Sequence, residues 1–169
     1  ANEHANVFHI EGGLSLKLRS DGAVTASFDQ GSRSGVQELT ATAELHIEQP
    51  QWLLVAASFE QSEGRLRVWV RSESGEHAQA EAVSEGFKAG PIGEVVTIGA
   101  TDELPAMIGH YGLIALRSHA IADQDVDDLK EYRRHHGPYS LSNVESDGSL
   151  TGKEDCIWMI NHAVTTRPI

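Results

Sequence analysis

Two stretches of this chain alternate apolar and polar residues with a period of two, and that alternation constrains the fold more than any other feature. Leu14, Leu16 and Leu18 are separated by Ser15 and Lys17, and Val24, Ala26 and Phe28 by Thr25 and Ser27. Successive side chains of a strand point to opposite faces, so each stretch reads as a half-buried strand. Between them lies Ser20-Asp21-Gly22. A two-residue Asp-Gly turn would pair Leu18 with Thr25, an apolar face against a polar one. A three-residue loop with Gly22 left-handed pairs Leu18 with Val24 and Leu14 with Phe28, so face matching selects that loop.

A second hairpin is equally legible. Leu53, Val55, Ala57 and Phe59 form one face, and Leu66, Val68 and Val70 answer it across Gln61-Ser62-Glu63-Gly64. A four-residue loop pairs Phe59 with Leu66 on the buried face and Glu60 with Arg65 on the outer face. Both face criteria select one register. Further strands are expected at about 37–48, 76–83, 94–100 and 111–118, punctuated by Ser74-Gly75, Ala89-Gly90-Pro91 and Gly109. Many short strands at this spacing predict an antiparallel sandwich or barrel.

One segment breaks the pattern. Val126, Leu129 and Tyr132 (or Arg133) fall at helical spacing, with Asp123, Asp125, Asp127 and Asp128 at one end and Arg133, Arg134, His135 and His136 at the other. Acid at the start and base at the end complement the helix dipole, and Gly137-Pro138 stops the helix, which is expected over about 123–134. Residues 140–155 read as a polar loop, and Cys156-Ile157-Trp158-Met159-Ile160 as a strand buried on both faces. The start at Ala1 and the end at Ile169 suggest an excerpt of a longer protein.

Composition narrows the function classes. Twenty-five Asp and Glu against 13 Lys and Arg give a formal charge of −12, which argues against phosphate-backbone binding and so against nucleic acid as a partner. The one cysteine, Cys156, permits no internal disulfide and no cysteine-rich zinc site. No apolar run approaches the ~18–20 residues of a membrane-crossing helix, so no membrane insertion is expected. Catalytic constellations are missing from the sequence: there is no H-E-x-x-H, no G-x-S-x-G, no P-loop and no strand carrying two carboxyls placed to face each other. A noncatalytic protein is expected.

The order of features resembles the laminin-G-like, concanavalin A-like lectin-glucanase domain. Gln51-Trp52-Leu53-Leu54-Val55-Ala56-Ala57-Ser58-Phe59 resembles that family's Q-W-x-x-V-A-x-x-(F/Y) strand. Gly64-Arg65-Leu66-Arg67-Val68-Trp69-Val70 resembles its G-x-L-x-L-Y-V partner. Val96-Thr97-Ile98-Gly99 is similar to the short L-x-I-G strand, and Tyr111-Gly112-Leu113-Ile114-Ala115 with Ala120–Val126 to the strand that runs into a short helix. The resemblance implies an all-β jelly-roll sandwich over residues 1–138, with 139–169 as a polar loop and a C-terminal strand that completes the sandwich or leads to another domain. Family members carry two or three strands before the segment equivalent to 12–28, and here about eleven residues precede it. Three outcomes stay open: those strands are missing, the strand near 156–164 fills the gap, or a partner does.

The resemblance also implies a noncatalytic binding module for carbohydrate or an extracellular surface partner, within a larger extracellular or periplasmic protein. The alternatives are a structural or interaction domain packing on a neighbouring domain or subunit and, ranked after it, a glycoside hydrolase. It suggests calcium at the sandwich rim, for which Asp102 and Glu103 are the best local pair. Asp123-x-Asp125-x-Asp127 is no calcium loop, because the required sixth-position Gly and twelfth-position Glu are Asp128 and Arg134. Trp69, flanked by Arg67 and Arg71 on the outer face of its strand, is a candidate ligand platform unless a second sheet or a loop covers it. His110 and Tyr111, at a loop-to-strand junction, are placed to line a rim pocket.

Overall fold

The computed structural model describes residues 4–29, 38–48, 51–87, 95–105, 113–117, 120–128 and 156–161, with 113–117 and 156–161 described as backbone. Among the described residues the strands are, in order, β1 (His4–Ile10), β2 (Leu14–Arg19), β3 (Val24–Asp29), β4 (Glu38–Ala43), β5 (Leu53–Glu60), β6 (Arg65–Ser72), β7 (His77–Val83), β8 (Val96–Ile98), β9 (Leu113–Arg117) and β10 (Cys156–Asn161). All pairings are antiparallel. The chain divides into two compact units, Ala1–Met107 and Ile108–Ile169.

The first unit is an all-β sandwich. One sheet has the order β4-β3-β2-β1-β8 and the other the order β5-β6-β7. β6 lies over β3 and β4, and β7 over β4. The inner faces meet in a core of Val24, Ala26, Phe28, Leu39, Ala41 and Ala43 from the larger sheet and Leu66, Val68 and Val70 from the smaller, all buried. Phe28 and Phe59 stack across the sheets with ring centroids 4.1 Å apart. Phe87, just beyond β7, meets Phe59 edge-on at 5.5 Å and closes that end of the core. Offset and edge-on ring pairs of this kind add about 0.5–1.5 kcal/mol beyond their buried area.

Both hairpin registers expected from face matching are present. Leu14 faces Phe28 and Leu18 faces Val24. Gly22 sits at φ +94 in the three-residue loop, where a Cβ would stand 2.4 Å from Ile47 Cγ1. In the second hairpin Phe59 faces Leu66 and Glu60 faces Arg65.

Two expectations need correction. The strand expected over 37–48 ends at Ala43, and the one expected over 94–100 is the three-residue β8. β1 did not emerge from the alternation, yet it lies between β2 and β8 and supplies a strand ahead of residue 12. Two features hide it. Its positions opposite the apolar face of β2 are Ala5, across from Leu18, and Phe8, across from Leu16, three residues apart, while the buried polar Asn6 lies across from Lys17. Its register also shifts between Asn6 and Phe8, and a bulge of this kind breaks the period of two.

In the second unit β9 pairs with β10, Ile114 facing Ile160 and Leu113 facing Asn161. Residues 123–128 form a short helix, α1. Asp125 accepts a hydrogen bond from the Ala122 N–H at 2.8 Å, tying down the first turn as an acidic side chain near a helix start does. The remainder of the expected helix, 129–134, and the expected change of organisation at 138–139 lie outside the described residues. Among the described residues no helix is long and apolar enough to cross a membrane.

Candidate functional site

Strand parity assigns every side chain of the smaller sheet to one of two faces. Leu66, Val68 and Val70 point into the core, so Arg65, Arg67, Trp69 and Arg71 point outward. The cross-strand partners of these four on β7 are Val83, Glu81, Gln79 and His77. On β5 they are Glu60, Ser58, Ala56 and Leu54.

This outer face is graded. On β7, His77, Gln79, Glu81 and Val83 are all exposed. On β5, Ala56 and Ser58 are buried. Along β6, Arg67 has a side-chain exposure of 30%, whereas Trp69 is 1% exposed and Arg71 is 8% exposed. The open platform expected at Trp69 is therefore absent. The residue does leave the sandwich core, as its parity requires, but its indole is covered, and a covered ring offers no face for a sugar to stack on. Arg71 is drawn down with it and turns a guanidinium N–H toward the Ala78 carbonyl at 3.4 Å.

Arg67 belongs to the exposed part. Its Nε donates to Glu81 Oε2 at 3.0 Å across the β6–β7 ladder. Arg65 pairs with Glu63 in the preceding turn and stands 3.7 Å from the same Glu81 oxygen. Half-exposed pairs are worth little to stability, of order 0–1 kcal/mol each. Their consequence is geometric: Glu81 and Arg67 hold each other upright, beside exposed Gln79 and His77, on a rigid pair of strands.

The rim loop carrying Asp102 and Glu103 is built from β1. Buried Asn6 donates from Nδ2 to the Gly99 carbonyl at 2.5 Å, and its main-chain N–H donates to the Pro105 carbonyl at 2.8 Å. One residue thus clamps both ends of the loop, and the Leu104 N–H closes it onto Thr101 Oγ1 at 3.1 Å. Sequence reasoning missed Asn6. The available signal was a polar residue between Ala5 and Val7-Phe8, where a buried amide must find partners. Asp102 and Glu103 are both exposed. Among the described residues no group of three or more His, Cys, Asp or Glu is placed to hold a metal ion, so this pair lacks a third such ligand there. His110 and Tyr111 lie outside the described residues.

A charged cluster also marks the β2–β3 turn. Arg19 Nε reaches Asp21 at 2.8 Å and its Nη2 reaches Glu44 at 2.6 Å. The Arg19 hydrogen bond holds the Asp21 carboxyl down at about 2, against an ordinary 3.8. Asp21 in turn accepts from the Ala23 N–H at 3.2 Å, which sets the turn.

No family model, no curated protein and no solved structure matches this chain.

Proposed function

We propose that this chain is a noncatalytic carbohydrate-binding module of the laminin-G-like, concanavalin A-like jelly-roll kind, carried by a larger extracellular or periplasmic protein, and that the exposed part of the outer β6–β7 face is its contact surface. One observation supports this above the others: Arg67, Glu81, Gln79 and His77 form a polar strip on paired strands, with Arg67 and Glu81 joined at 3.0 Å. Guanidinium, carboxylate and amide groups supply the donors and acceptors that sugar hydroxyls need, and their mutual contact removes part of the ordering cost of binding. With Trp69 covered, recognition rests on these hydrogen bonds and not on ring stacking.

The test is an array of acidic, neutral and amino glycans probed with the protein and with Gln79→Ala and Arg67→Ala. The expected result is binding to one saccharide class, about tenfold weaker in either variant, the equivalent of one or two lost polar contacts. A flat array for the unaltered protein refutes the proposal, and so does a saccharide whose binding neither variant changes.

A further inference from the structure

The edge of the smaller sheet carries a second inference, which goes beyond the proposed glycan face because it rests on main-chain groups. Ser72 N–H donates to the Glu76 carbonyl at 2.8 Å before β7, and Ser84 N–H donates to the Gly64 carbonyl at 3.0 Å after it. The register between these bonds is unbroken. In an antiparallel ladder, hydrogen-bonded and non-bonded pairs alternate. The even-numbered residues of β7 therefore turn their main-chain groups toward β6. His77, Gln79, Glu81 and Val83 turn theirs away, and among the described residues β7 has a strand partner on one side only.

Natural sheet edges are blunted by charged side chains, lysine above all, by proline, a bulge, shortness or a covering segment. β7 carries one acidic charge, Glu81, but no lysine, proline or register shift, and it is seven residues long. Ala78, Ala80 and Ala82 keep one face of the edge low, and Val83 leaves a large apolar side chain 52% exposed at its end. β4, the edge strand of the other sheet, lies beneath β7 and carries no Lys or Arg either. The charge around β7 is one-sided. Glu73, Glu76, Glu81 and Glu85 are all exposed, and the half-buried cations beside β7, Arg65 and Arg67, are engaged by Glu63 and Glu81. A second copy would bring four more glutamates to the same line. An extended segment bearing Lys or Arg would meet complementary charge.

We infer that β7 accepts an extended, basic peptide segment of a partner protein as an added antiparallel strand, its main chain bonded to His77, Gln79, Glu81 and Val83 and its cations beside Glu76 and Glu81. Backbone bonds supply the affinity, and the acidic rim selects the charge.

The probe is a seven-residue peptide alternating Lys with Val or Thr, measured by calorimetry and by amide exchange. Three controls accompany it: the Glu-for-Lys peptide, the Lys peptide methylated at every backbone nitrogen, and Gln79→Pro. Gln79→Pro removes an N–H that faces away from β6, so it costs the sheet no ladder bond. The expected result is that the Lys peptide slows exchange at Gln79, Glu81 and Val83 and weakens with added salt. The Glu peptide, the methylated peptide and the proline variant should each bind at least tenfold more weakly. Should Gln79→Pro fail to fold, the methylated peptide still decides the matter. Equal binding of the methylated peptide overturns the inference, leaving charge alone. Equal binding of the Glu peptide, or self-association of the free protein that protects the same amides, overturns it as well. A flat glycan array has no bearing on these outcomes.

Discussion

Replacing Gly64 with alanine tests how the two sheets are locked at the Phe59 end. Gly64 closes the β5–β6 turn at φ +57. A Cβ there would stand 2.2 Å from the Ser84 carbonyl oxygen and 3.3 Å from Phe87 Cβ. That oxygen accepts the Phe87 N–H at 3.0 Å, and the Ser84 N–H donates to the Gly64 carbonyl at 3.0 Å. Phe87 in turn meets Phe59 at 5.5 Å and Phe28 at 6.3 Å. Relief of the clash requires a shift of roughly 1 Å, because unbonded heavy atoms sit no closer than about 3 Å. The left-handed backbone costs about 1–2 kcal/mol for any residue with a Cβ, and weakening two hydrogen bonds costs about 0.5–1.5 kcal/mol each. The total is about 2–5 kcal/mol. Gly86→Ala is the control, since its φ is +76 and nothing lies within 4 Å of a Cβ there. It should show the backbone part alone, about 1–2 kcal/mol. In urea the two midpoints should then differ by about 1 M, given a slope of about 1–3 kcal/mol per molar. Coincident midpoints would refute the reasoning, because they would mean that the Ser84 approach adds nothing to the dihedral cost.

Two further outcomes follow from the same geometry. Trp69→Ala should lower stability by about 3–5 kcal/mol, the cost of emptying a buried aromatic site; a chemical denaturation midpoint unchanged from the parent would show that the ring is dispensable to packing. Asp21 is ionised more readily folded than unfolded, so its contribution is complete above its ordinary value of 3.8 and disappears as pH falls through about 2. Melting temperatures recorded from pH 5 to pH 2 should fall less steeply for Asp21→Asn than for the parent, and parallel curves would exclude Asp21 from the acid response.

The outer β6–β7 face and the β7 edge differ in how much of each can be read from residues alone. Parity places Arg67, Trp69 and Arg71 outward without any structure. It does not say which of the three stays in contact with water. Arg67 does, while Trp69 and Arg71 are covered. A period of two separates faces, but it carries no information on how much water reaches each position of a face. The same limit hid the Asn6 clamp. Its partners are the carbonyls of Gly99 and Pro105, and backbone acceptors carry no sequence signature.

The sequence by itself determined the two hairpins. Their registers follow from short loops and from matching apolar faces, and both operate between residues that are near neighbours along the chain. Only the tertiary structure decided that β1 joins the larger sheet between β2 and β8, that the outer face of β6 is half covered, and that β4 and β7 end their sheets on the same side. Each of these depends on which distant segment reaches a surface first, and a strand's alternation is the same whether its edge and its outer face are occupied or open.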